Sequence, residues 1–233
     1  MTQLSYQERR GQIETYFDRT AVQAWARLTS DAPVGRIRAT VRAGRDRMRA
    51  TLLSWLPDDL RGTRLLDAGC GTGALAVEAA KRGAQVVAID LSPTLVNLAR
   101  ERQPSDLGAG RIDFCAGDML DPALGEFDVV VGMDSLIHYQ APDAVRVLAG
   151  LAQRTRQAML FTFAPSNPAL ATMHMAGKLF PRGNRAPAIV PVAEKNLRRL
   201  LAAEPQLRGW HPARTQRVAS GFYTSHALEM VRT

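Results

Sequence analysis

Three glycines fall within five positions behind a short apolar run, in the segment LLDAGCGTGALA at residues 65–76. Glycine has no side chain and lowers backbone order, so such a cluster marks a tight turn or the close approach of a ligand. The spacing Gly-x-Gly-x-Gly differs from the Gly-x-Gly-x-x-Gly of dinucleotide-binding folds, and no lysine follows to form a phosphate-binding P-loop. The segment therefore predicts a strand, a ligand-binding loop and a helix in succession.

Short apolar runs alternate with helical stretches from residue 63 onward. Strands are predicted at residues 63–68, 85–90, 111–118, 127–133 and 157–164. Helices are predicted at 74–82, 93–102, 141–154 and 193–203, and two closing strands at 207–215 and 222–231. Strands that alternate with helices build a parallel sheet covered on both faces. We expect a Rossmann-like α/β fold with a seven-stranded, mostly parallel sheet.

The chain is predicted to divide into an N-terminal helical arm, residues 1–58, and a ligand-binding domain, residues 59–233. After the fifth strand, residues 164–192 contain five prolines and no long periodic pattern. A long irregular stretch in a compact domain is usually functional or disordered, and the apolar content of this one argues against simple disorder. We expect a cap over a large, flat, apolar ligand, with a structural insertion as the alternative.

The net charge of +8 comes almost entirely from arginine. In the predicted helix near residues 34–55, Arg38, Arg42, Arg45 and Arg49 line one face, and apolar side chains line another. The apolar set is Val34, Ile37, Val41, Met48, Leu52 and Trp55. We expect solvated arginines, with contact to a membrane surface or another anionic partner as the alternative.

Residues 1–17 carry charges throughout, and no window approaches 18 uncharged apolar residues, so neither a signal peptide nor a membrane span is predicted. The two cysteines, Cys70 and Cys115, have no metal-ligand spacing and are too few for a disulfide framework. We therefore expect a cytoplasmic protein without a metal site of its own.

Acidic residues follow the next two predicted strands. Asp90 closes the second strand, where a carboxylate accepts hydrogen bonds from ribose hydroxyls and repels a 2′-phosphate. Asp118 follows the third strand, within reach of an adenine amine, and the amide of Met119 could reach a ring nitrogen. Ligands of doubly wound sheets bind at the carboxyl ends of the strands. These residues therefore predict a ligand with a free ribose and an adenine.

Four segments in order, LLDAGCGTG, VVAIDLS, CAGDML and FDVVVGMDSLIHY, resemble the class I S-adenosylmethionine-dependent methyltransferases. The resemblance covers about residues 60–163 and implies that the cofactor is S-adenosylmethionine. The residues that it places around the cofactor are Asp67, Gly69, Gly71, Gly73, Asp90, Leu91, Asp118, Met119 and Met133.

The methyl acceptor is expected to lie against the segment after the fourth strand, which contains Asp134, Ser135, His138 and Tyr139. His138 can donate a hydrogen bond to a carboxylate or accept a proton from a hydroxyl, with a structural role as the alternative. The segment lacks the Asn/Asp-Pro-Pro-aromatic signature of nucleic-acid amino methyltransferases. We therefore expect no nucleic-acid partner, despite the basic charge.

Segments outside the cofactor half resemble the magnesium protoporphyrin IX methyltransferases. They are IETYFDRTAVQAWARL at 13–28, where Asp18 replaces the asparagine of many members, the insertion after the fifth strand, and SGFYTSHALEMVR at 220–232. The resemblance implies that one propionate of magnesium protoporphyrin IX becomes a methyl ester on the way to chlorophyll or bacteriochlorophyll. It also implies that Tyr16 and His138 lie at the acceptor carboxylate, and that the magnesium belongs to the substrate.

Further assignments depend on that substrate. His174 could touch the macrocycle, and Arg182 and Arg185 could pair with the second propionate, with surface roles as the alternative. The poor solubility of porphyrins favours delivery by a magnesium-chelatase subunit and peripheral contact of the basic N-terminal helix with the cytoplasmic face of a photosynthetic membrane.

Two other functions compete with this interpretation. The first is an O-methyltransferase for another hydrophobic acceptor, such as a quinone phenol, in which His138 would act as a base. The second is an RNA-binding or RNA-modifying protein, which only the arginine helix favours and which would show steeply salt-dependent affinity. A nicotinamide oxidoreductase is disfavoured by the glycine spacing.

Overall fold

A computed structural model of the chain describes residues 6–16, 18, 29, 33, 35–166 and 188–233. The helices in this part of the chain are α1 (Tyr6–Thr15), α2 (Arg36–Ser54), α3 (Ala74–Lys81), α4 (Pro93–Glu101), α5 (Ala141–Ala152) and α6 (Glu194–Ala203). The strands are β1 (Arg64–Ala68), β2 (Gln85–Asp90), β3 (Arg111–Ala116), β4 (Phe127–Gly132), β5 (Thr155–Phe163), β6 (Trp210–Ser220) and β7 (Tyr223–Arg232).

The seven strands form one sheet in the order β3-β2-β1-β4-β5-β7-β6. Strands β1 to β5 are parallel, and β7 is antiparallel to both of its neighbours. The prediction of a seven-stranded, mostly parallel sheet is confirmed. The strand order reverses between β1 and β4, where Leu66 of β1 lies beside Val130 of β4. Such a switch point opens a crevice at the carboxyl ends of the two strands.

Side chains that alternate along the central strands pack into two apolar clusters, one on each face of the sheet. Leu66 and Val130 point into the cluster that α5 and α6 complete. Leu65 and Val129 point into the cluster that α2, α3 and α4 complete. Because each strand is covered on both faces, its sequence is apolar almost throughout.

Helix α2 packs against the sheet through part of the predicted apolar face. Met48 and Leu52 are fully buried, whereas Ile37, at the other end of that face, is 58% exposed. A Cβ atom added to Gly44 would lie 2.4 Å from Cδ1 of Tyr223, so α2 approaches β7 as closely as a glycine allows. The Arg47 guanidinium donates to the carbonyl oxygen of Ala219 at 2.8 Å and fixes α2 to the β6–β7 hairpin.

Several element boundaries differ from the prediction: β5 begins at Thr155 rather than at residue 157, and β6 extends to Ser220 rather than to residue 215. Two other shifts have local reasons. Strand β3 ends at Ala116 because Gly117 has a φ of 152°, which turns the chain before Asp118. Strand β6 begins at Trp210 rather than at residue 207. The preceding residues Pro205–Leu207 form a 3₁₀ turn, whose first amide donor is satisfied by the side chain of Glu204.

The predicted cap, residues 164–192, is described only at its two ends. Pro165 and Val192 form a parallel bridge, and the amide of Val192 donates to the carbonyl oxygen of Ala164 at 2.8 Å. The amide of Val190 donates to the carbonyl oxygen of Ile137, also at 2.8 Å. Residues 167–187 lie outside the described residues. Among the described helices, none is long and apolar enough to cross a membrane.

Candidate functional site

A cleft of about 670 Å³ lies at the switch point, between the carboxyl ends of β1 and β4. The loops after β1, β2, β3 and β4 form its floor, and α1, α2 and the β6–β7 hairpin contribute to its walls. A cleft of this volume suits a ligand of several hundred daltons with mixed polar and apolar groups. The predicted cofactor and acceptor segments therefore meet in one cavity.

The glycine loop after β1, on the cofactor side of the cleft, contacts the segment after β4, on the acceptor side. Gly69 has a φ of 86°, and a Cβ atom there would lie 2.4 Å from the Cβ atom of Ser135. The amides of Gly69 and Cys70 both donate to the carbonyl oxygen of Ile89, at 2.8 and 2.9 Å. The loop is thus fixed to β2 on one side and touches the segment after β4 on the other.

Asp67 is a buried carboxylate at the floor of the cleft. Its side chain is 2% exposed, and its Oδ2 atom has no hydrogen-bond partner among the described residues. Burial, with a further contribution from the charge of Asp90, raises the pKa of Asp67 to about 7. A buried carboxylate without a cation is costly, so this position is suited to a positively charged ligand.

Asp90 lies at the end of β2 and holds the glycine loop. Its Oδ2 atom accepts from the amide of Gly71 at 2.9 Å, and its Oδ1 atom accepts from the amide of Ser92 at 3.0 Å. Burial raises the pKa of Asp90, and these backbone donors act against the rise. Each oxygen retains acceptor capacity, as the predicted contact with ribose hydroxyls requires.

The carboxylate of Asp118 points toward α1 and is not part of the cleft wall, unlike the neighbouring Met119. Its Oδ2 atom lies 2.7 Å from Nη1 of Arg10, and its Oδ1 atom accepts from the amide of Leu120 at 2.9 Å. The structure therefore gives Asp118 a role in docking the N-terminal helix, which sequence reasoning missed. Its contact with an adenine remains a prediction.

The end of the N-terminal helix is held across the cleft. Ile13 is buried in the core, and Tyr16 lines the cleft. Beyond it, Oδ1 of Asp18 accepts from the hydroxyl and the amide of Thr94, at 2.6 and 3.2 Å, and from the hydroxyl of Ser92 at 3.1 Å. Asp18 thus docks the arm on the start of α4.

The segment after β4 is organised by Asp134, whose φ of 55° is the one positive value among the described non-glycine residues. Its Oδ2 atom lies 2.6 Å from Nη1 of Arg45 and accepts from the Tyr223 hydroxyl at 3.1 Å. Its Oδ1 atom accepts from the hydroxyls of Ser225 and Thr162, both at 3.1 Å. The carboxylate is therefore bound by protein donors on both oxygens, which makes Asp134 a positioning residue.

The other predicted acceptor residues follow Asp134 and all line the cleft. Ser135 has a buried hydroxyl oxygen without a hydrogen-bond partner in the described part of the chain. His138 ends a 3₁₀ turn and is 7% exposed, and Tyr139 is 3% exposed within the apolar core. Met133, Leu91, Gly69 and Gly71 also line the cleft. Gly73 does not: a Cβ atom there would lie 2.8 Å from Cε1 of Phe114, so this glycine allows close packing at the start of α3. The predicted contacts of His174, Arg182 and Arg185 lie outside the described residues.

The arginine face of α2 forms a wall of the cleft, because Arg38, Arg42, Arg45 and Arg49 all line it. Arg38 is exposed and the other three are partly buried, so contact of this face with a membrane surface or another anionic partner stays a prediction. The helix turns its apolar side to the sheet and its arginine side over the ends of β1 and β4. Amphipathic periodicity identifies the two faces but cannot show what the polar face meets.

Family models match two parts of the chain. Residues 132–232 match the C-terminal region of magnesium-protoporphyrin IX methyltransferases, and residues 65–158 match a methyltransferase domain. The magnesium-protoporphyrin O-methyltransferase of Rhodobacter capsulatus is 53% identical over 96% of this chain and 97% of its own. The ubiquinone biosynthesis O-methyltransferase of Xanthomonas oryzae pv. oryzae is 38% identical, but over 54% of this chain and 55% of its own.

A solved structure resembles this one over nearly the whole chain. It is the magnesium protoporphyrin IX methyltransferase of Synechocystis PCC 6803 with bound S-adenosylhomocysteine, which has a TM-score of 0.84 and 29% identity. The match covers 96% of this chain and 100% of that one. Both the cofactor half and the flanking segments therefore have counterparts in a single solved fold.

Proposed function

The chain belongs to the magnesium-protoporphyrin O-methyltransferase family, and from this premise we propose which of its residues bind the cofactor and which hold the methyl acceptor. The enzyme is an S-adenosylmethionine-dependent O-methyltransferase that converts a propionate carboxylate of magnesium protoporphyrin IX into a methyl ester. The product belongs to chlorophyll or bacteriochlorophyll biosynthesis. One end of the cleft binds the cofactor, and the other end positions the acceptor.

The floor of the cleft fits S-adenosylmethionine. The observation that carries this assignment is the pair of carboxylates at the cleft, the buried Asp67 and the partly buried Asp90, neither of which forms an ion pair with a described residue. Asp67 faces the cationic methionine end, and Asp90 accepts from the ribose hydroxyls. Gly69 and Gly71 let the backbone approach, and Met119 and Leu91 enclose the adenine. When bound, S-adenosylmethionine supplies an electrophilic methyl group on its sulfonium.

The acceptor needs positioning more than activation. A propionate is ionised at neutral pH and is already a nucleophile, so the chain does not have to remove a proton from it. We assign Tyr16 and His138 as hydrogen-bond donors that hold the acceptor carboxylate, because both line the cleft. Ser135 supplies a third donor beside Gly69. Ile13 and Tyr139 exclude water.

The Asp134 network holds these donors in place. Its carboxylate ties α2, β5 and β7 to the segment that presents Ser135 and His138. The negative charge of Asp134 would repel a substrate carboxylate beside it. The Arg45 guanidinium, whose Nη1 lies 2.6 Å from Oδ2 of Asp134, neutralises that charge. Asp134 therefore orients the acceptor side without binding the acceptor.

A methyl-transfer assay tests the function directly. Purified protein receives methyl-labelled S-adenosylmethionine with magnesium protoporphyrin IX, metal-free protoporphyrin or a quinone phenol as acceptor. Label in a base-labile monomethyl ester, formed faster with magnesium, is expected. His138→Ala should lower turnover modestly, and Asp90→Ala should lower it further by weakening cofactor binding. Binding of S-adenosylmethionine without label in either porphyrin would support the cofactor site and contradict the acceptor assignment.

A quinone phenol is the second candidate acceptor. The observation in its favour is the 38% identity to a ubiquinone biosynthesis O-methyltransferase, but that match covers only about half of each chain. In that case His138 would act as a base, and the rate would fall on its protonation. The porphyrin reaction is favoured because the magnesium-protoporphyrin relative matches across the arm, the acceptor segment and the closing hairpin.

We also propose a cytoplasmic location at the face of a photosynthetic membrane, with a magnesium-chelatase subunit delivering the porphyrin. The support is an exposed aromatic side chain at the cleft, because Phe222 is 67% exposed and lines it. The exposed Arg38 at the outer end of α2 would add a basic contact with an anionic membrane surface. Size-exclusion chromatography with purified chelatase subunits should show co-elution, and separate elution with unchanged turnover would contradict delivery.

A further inference from the structure

Of the residues that the structure describes, three large apolar side chains are exposed. Phe222 is 67% exposed, Ile37 58% and Ile189 41%. Phe222 and Ile189 line the cleft, whereas Ile37 does not. Because apolar surface is costly to leave in water, two exposed apolar side chains at the mouth of a cleft indicate contact with an apolar ligand or partner.

The two cleft residues come from opposite sides of the sheet. Phe222 is at the tip of the β6–β7 hairpin, directly before Tyr223, which belongs to the apolar cluster that α2, α3 and α4 complete. Ile189 lies shortly before Val192, which belongs to the cluster that α5 and α6 complete on the other face. The mouth of the cleft therefore has an exposed apolar side chain from each side of the sheet.

Both side chains are carried by backbone that is fixed to a neighbouring element. A Cβ atom added to Gly221 would lie 2.6 Å from Oγ1 of Thr40, so the hairpin tip packs directly on α2. On the other side, the amide of Val190 donates to the carbonyl oxygen of Ile137 at 2.8 Å. This hydrogen bond fixes the chain next to Ile189 to the acceptor segment. The two walls are therefore held in place before a ligand binds, which lowers the ordering cost of binding.

A flat ligand that enters edge first fits between two such walls. The acceptor proposed above is a planar macrocycle with apolar faces, and both of its carboxylates are at one edge. With that edge directed at the buried His138, the opposite part of the ring extends toward the mouth of the cleft. Its two faces then meet the two exposed side chains.

We propose that Phe222 and Ile189 clamp the two faces of the porphyrin macrocycle at the mouth of the cleft. The proposal rests on the proposed function and adds to it a selection for a flat, apolar acceptor. Phe222 stacks on one face of the ring, and Ile189 packs on the other. Delivery from a membrane or a partner protein would bring the porphyrin to this same opening. Because the clamp touches the ring and not the reacting carboxylate, it acts on acceptor binding rather than on methyl transfer.

Steady-state kinetics separate these two effects. Initial rates of ester formation are measured against magnesium protoporphyrin IX, dispersed in detergent micelles, for the parent chain and the variants. Phe222→Ala should raise the KM for the porphyrin roughly tenfold, because an aromatic side chain loses its burial against the ring, and kcat should stay near the parent value. Ile189→Ala should raise KM by a smaller factor. Phe222→Tyr, which keeps the aromatic ring, should restore most of the parent KM.

Ile37→Ala is the matched control, because it removes an exposed apolar side chain that does not line the cleft. It should leave both KM and kcat at the parent values. Calorimetric titration with S-adenosylmethionine should give the parent affinity for every variant, which shows that the cofactor site is intact.

The ring current of the porphyrin detects the contact directly. 4-Fluorophenylalanine is incorporated at every phenylalanine, and the fluorine resonance of residue 222 is identified by its loss in Phe222→Leu. Addition of magnesium protoporphyrin IX should shift this resonance strongly upfield, because a nucleus above the face of a porphyrin is shielded. A role in folding alone would not produce this shift.

Other results overturn the proposal. An unshifted resonance, or a parent-like KM in Phe222→Ala, would show that the ring does not meet this side chain. Equal effects of Ile37→Ala and Phe222→Ala would assign both residues to a general apolar surface such as a membrane contact. A lower kcat with unchanged KM would place Phe222 at the reacting end. A parent chain that forms no ester from magnesium protoporphyrin IX would instead contradict the proposed function itself.

Discussion

Arg45 and Asp134 lie 89 positions apart in the chain, and their side chains meet at 2.6 Å at the wall of the cleft. The contact joins α2, which precedes the sheet, to the segment that presents Ser135 and His138. Because the Asp134 side chain is 6% exposed and the Arg45 side chain 20%, removal of one partner leaves a charge largely shielded from water.

Replacement of Arg45 by alanine should therefore destabilise the protein. We expect the free energy of unfolding to fall by about 3 kcal/mol, the usual cost of breaking a buried ion pair from one side. Chemical denaturation of the parent chain and the variant measures this. Arg61→Ala is the control, because Arg61 and Asp59 form an exposed pair that should contribute little to the unfolding midpoint. Equal effects of the two substitutions would contradict the role of Asp134 as an organising centre.

The raised pKa of Asp67, about 7, predicts that cofactor binding depends on pH. A carboxyl group with a raised pKa takes up its proton as the pH falls through 7, and the neutral form does not attract a cation. From about pH 8 to about pH 6, the affinity for S-adenosylmethionine should fall roughly tenfold. Calorimetric titrations measure this, and they should show weak binding with a flatter pH profile for Asp67→Asn. A profile shared by both proteins would locate the titration elsewhere.

Gly69→Ala should weaken cofactor binding by displacing the segment after β4. The added Cβ atom would lie 2.4 Å from the Cβ atom of Ser135, and the φ of 86° adds backbone strain. Gly62→Ala separates the two effects, because Gly62 has a similar φ of 77° with no atom within 4 Å. Gly62→Ala should lose about 1 kcal/mol of stability from the backbone strain alone, and Gly69→Ala should lose more because of the added clash. Only Gly69→Ala should lose affinity for S-adenosylmethionine. Unchanged affinity in Gly69→Ala would show that the two loops move independently.

Asp18→Ala should release the N-terminal arm from α4. Its carboxylate accepts from Thr94 and Ser92, and the released arm would take Tyr16 away from the cleft. We expect faster tryptic cleavage before residue 18 and lower turnover, with Asp18→Asn intermediate because its amide oxygen still accepts. Asp106→Ala serves as a control, since among the described residues the exposed Asp106 accepts only from the nearby Gly108 amide. Parent-like cleavage and turnover in Asp18→Ala would mean that the arm is held without this contact.

The cofactor half could be predicted closely because its signals are local. The glycine loop, the acidic residue at the end of β2 and the apolar strands each act within a few residues of sequence. The number of residues between these features also matches a repeated strand–helix unit. The sheet and most residues on the cleft floor could therefore be predicted from the sequence.

The arginine row and the role of Asp118 could not be predicted in this way. Periodicity places Arg45 on the polar face of a helix, but only the packing of α2 on the β6–β7 hairpin turns that face into the cleft. Asp118 meets Arg10 across 108 positions of sequence, so its partner depends on the docked arm. Contacts between distant segments have no local signal, and they decide which polar residues lie in a site.

The close approach of α2 to β7 at Gly44 has a consequence for comparison among relatives. A chain with a larger side chain at this position must hold the helix farther from Tyr223, and the arginine row moves with the helix. The residue type at position 44, which the sequence gives directly, therefore indicates how wide the cleft is. Homologues that keep glycine here should share the same acceptor dimensions, and those that lose it should accommodate a differently shaped substrate.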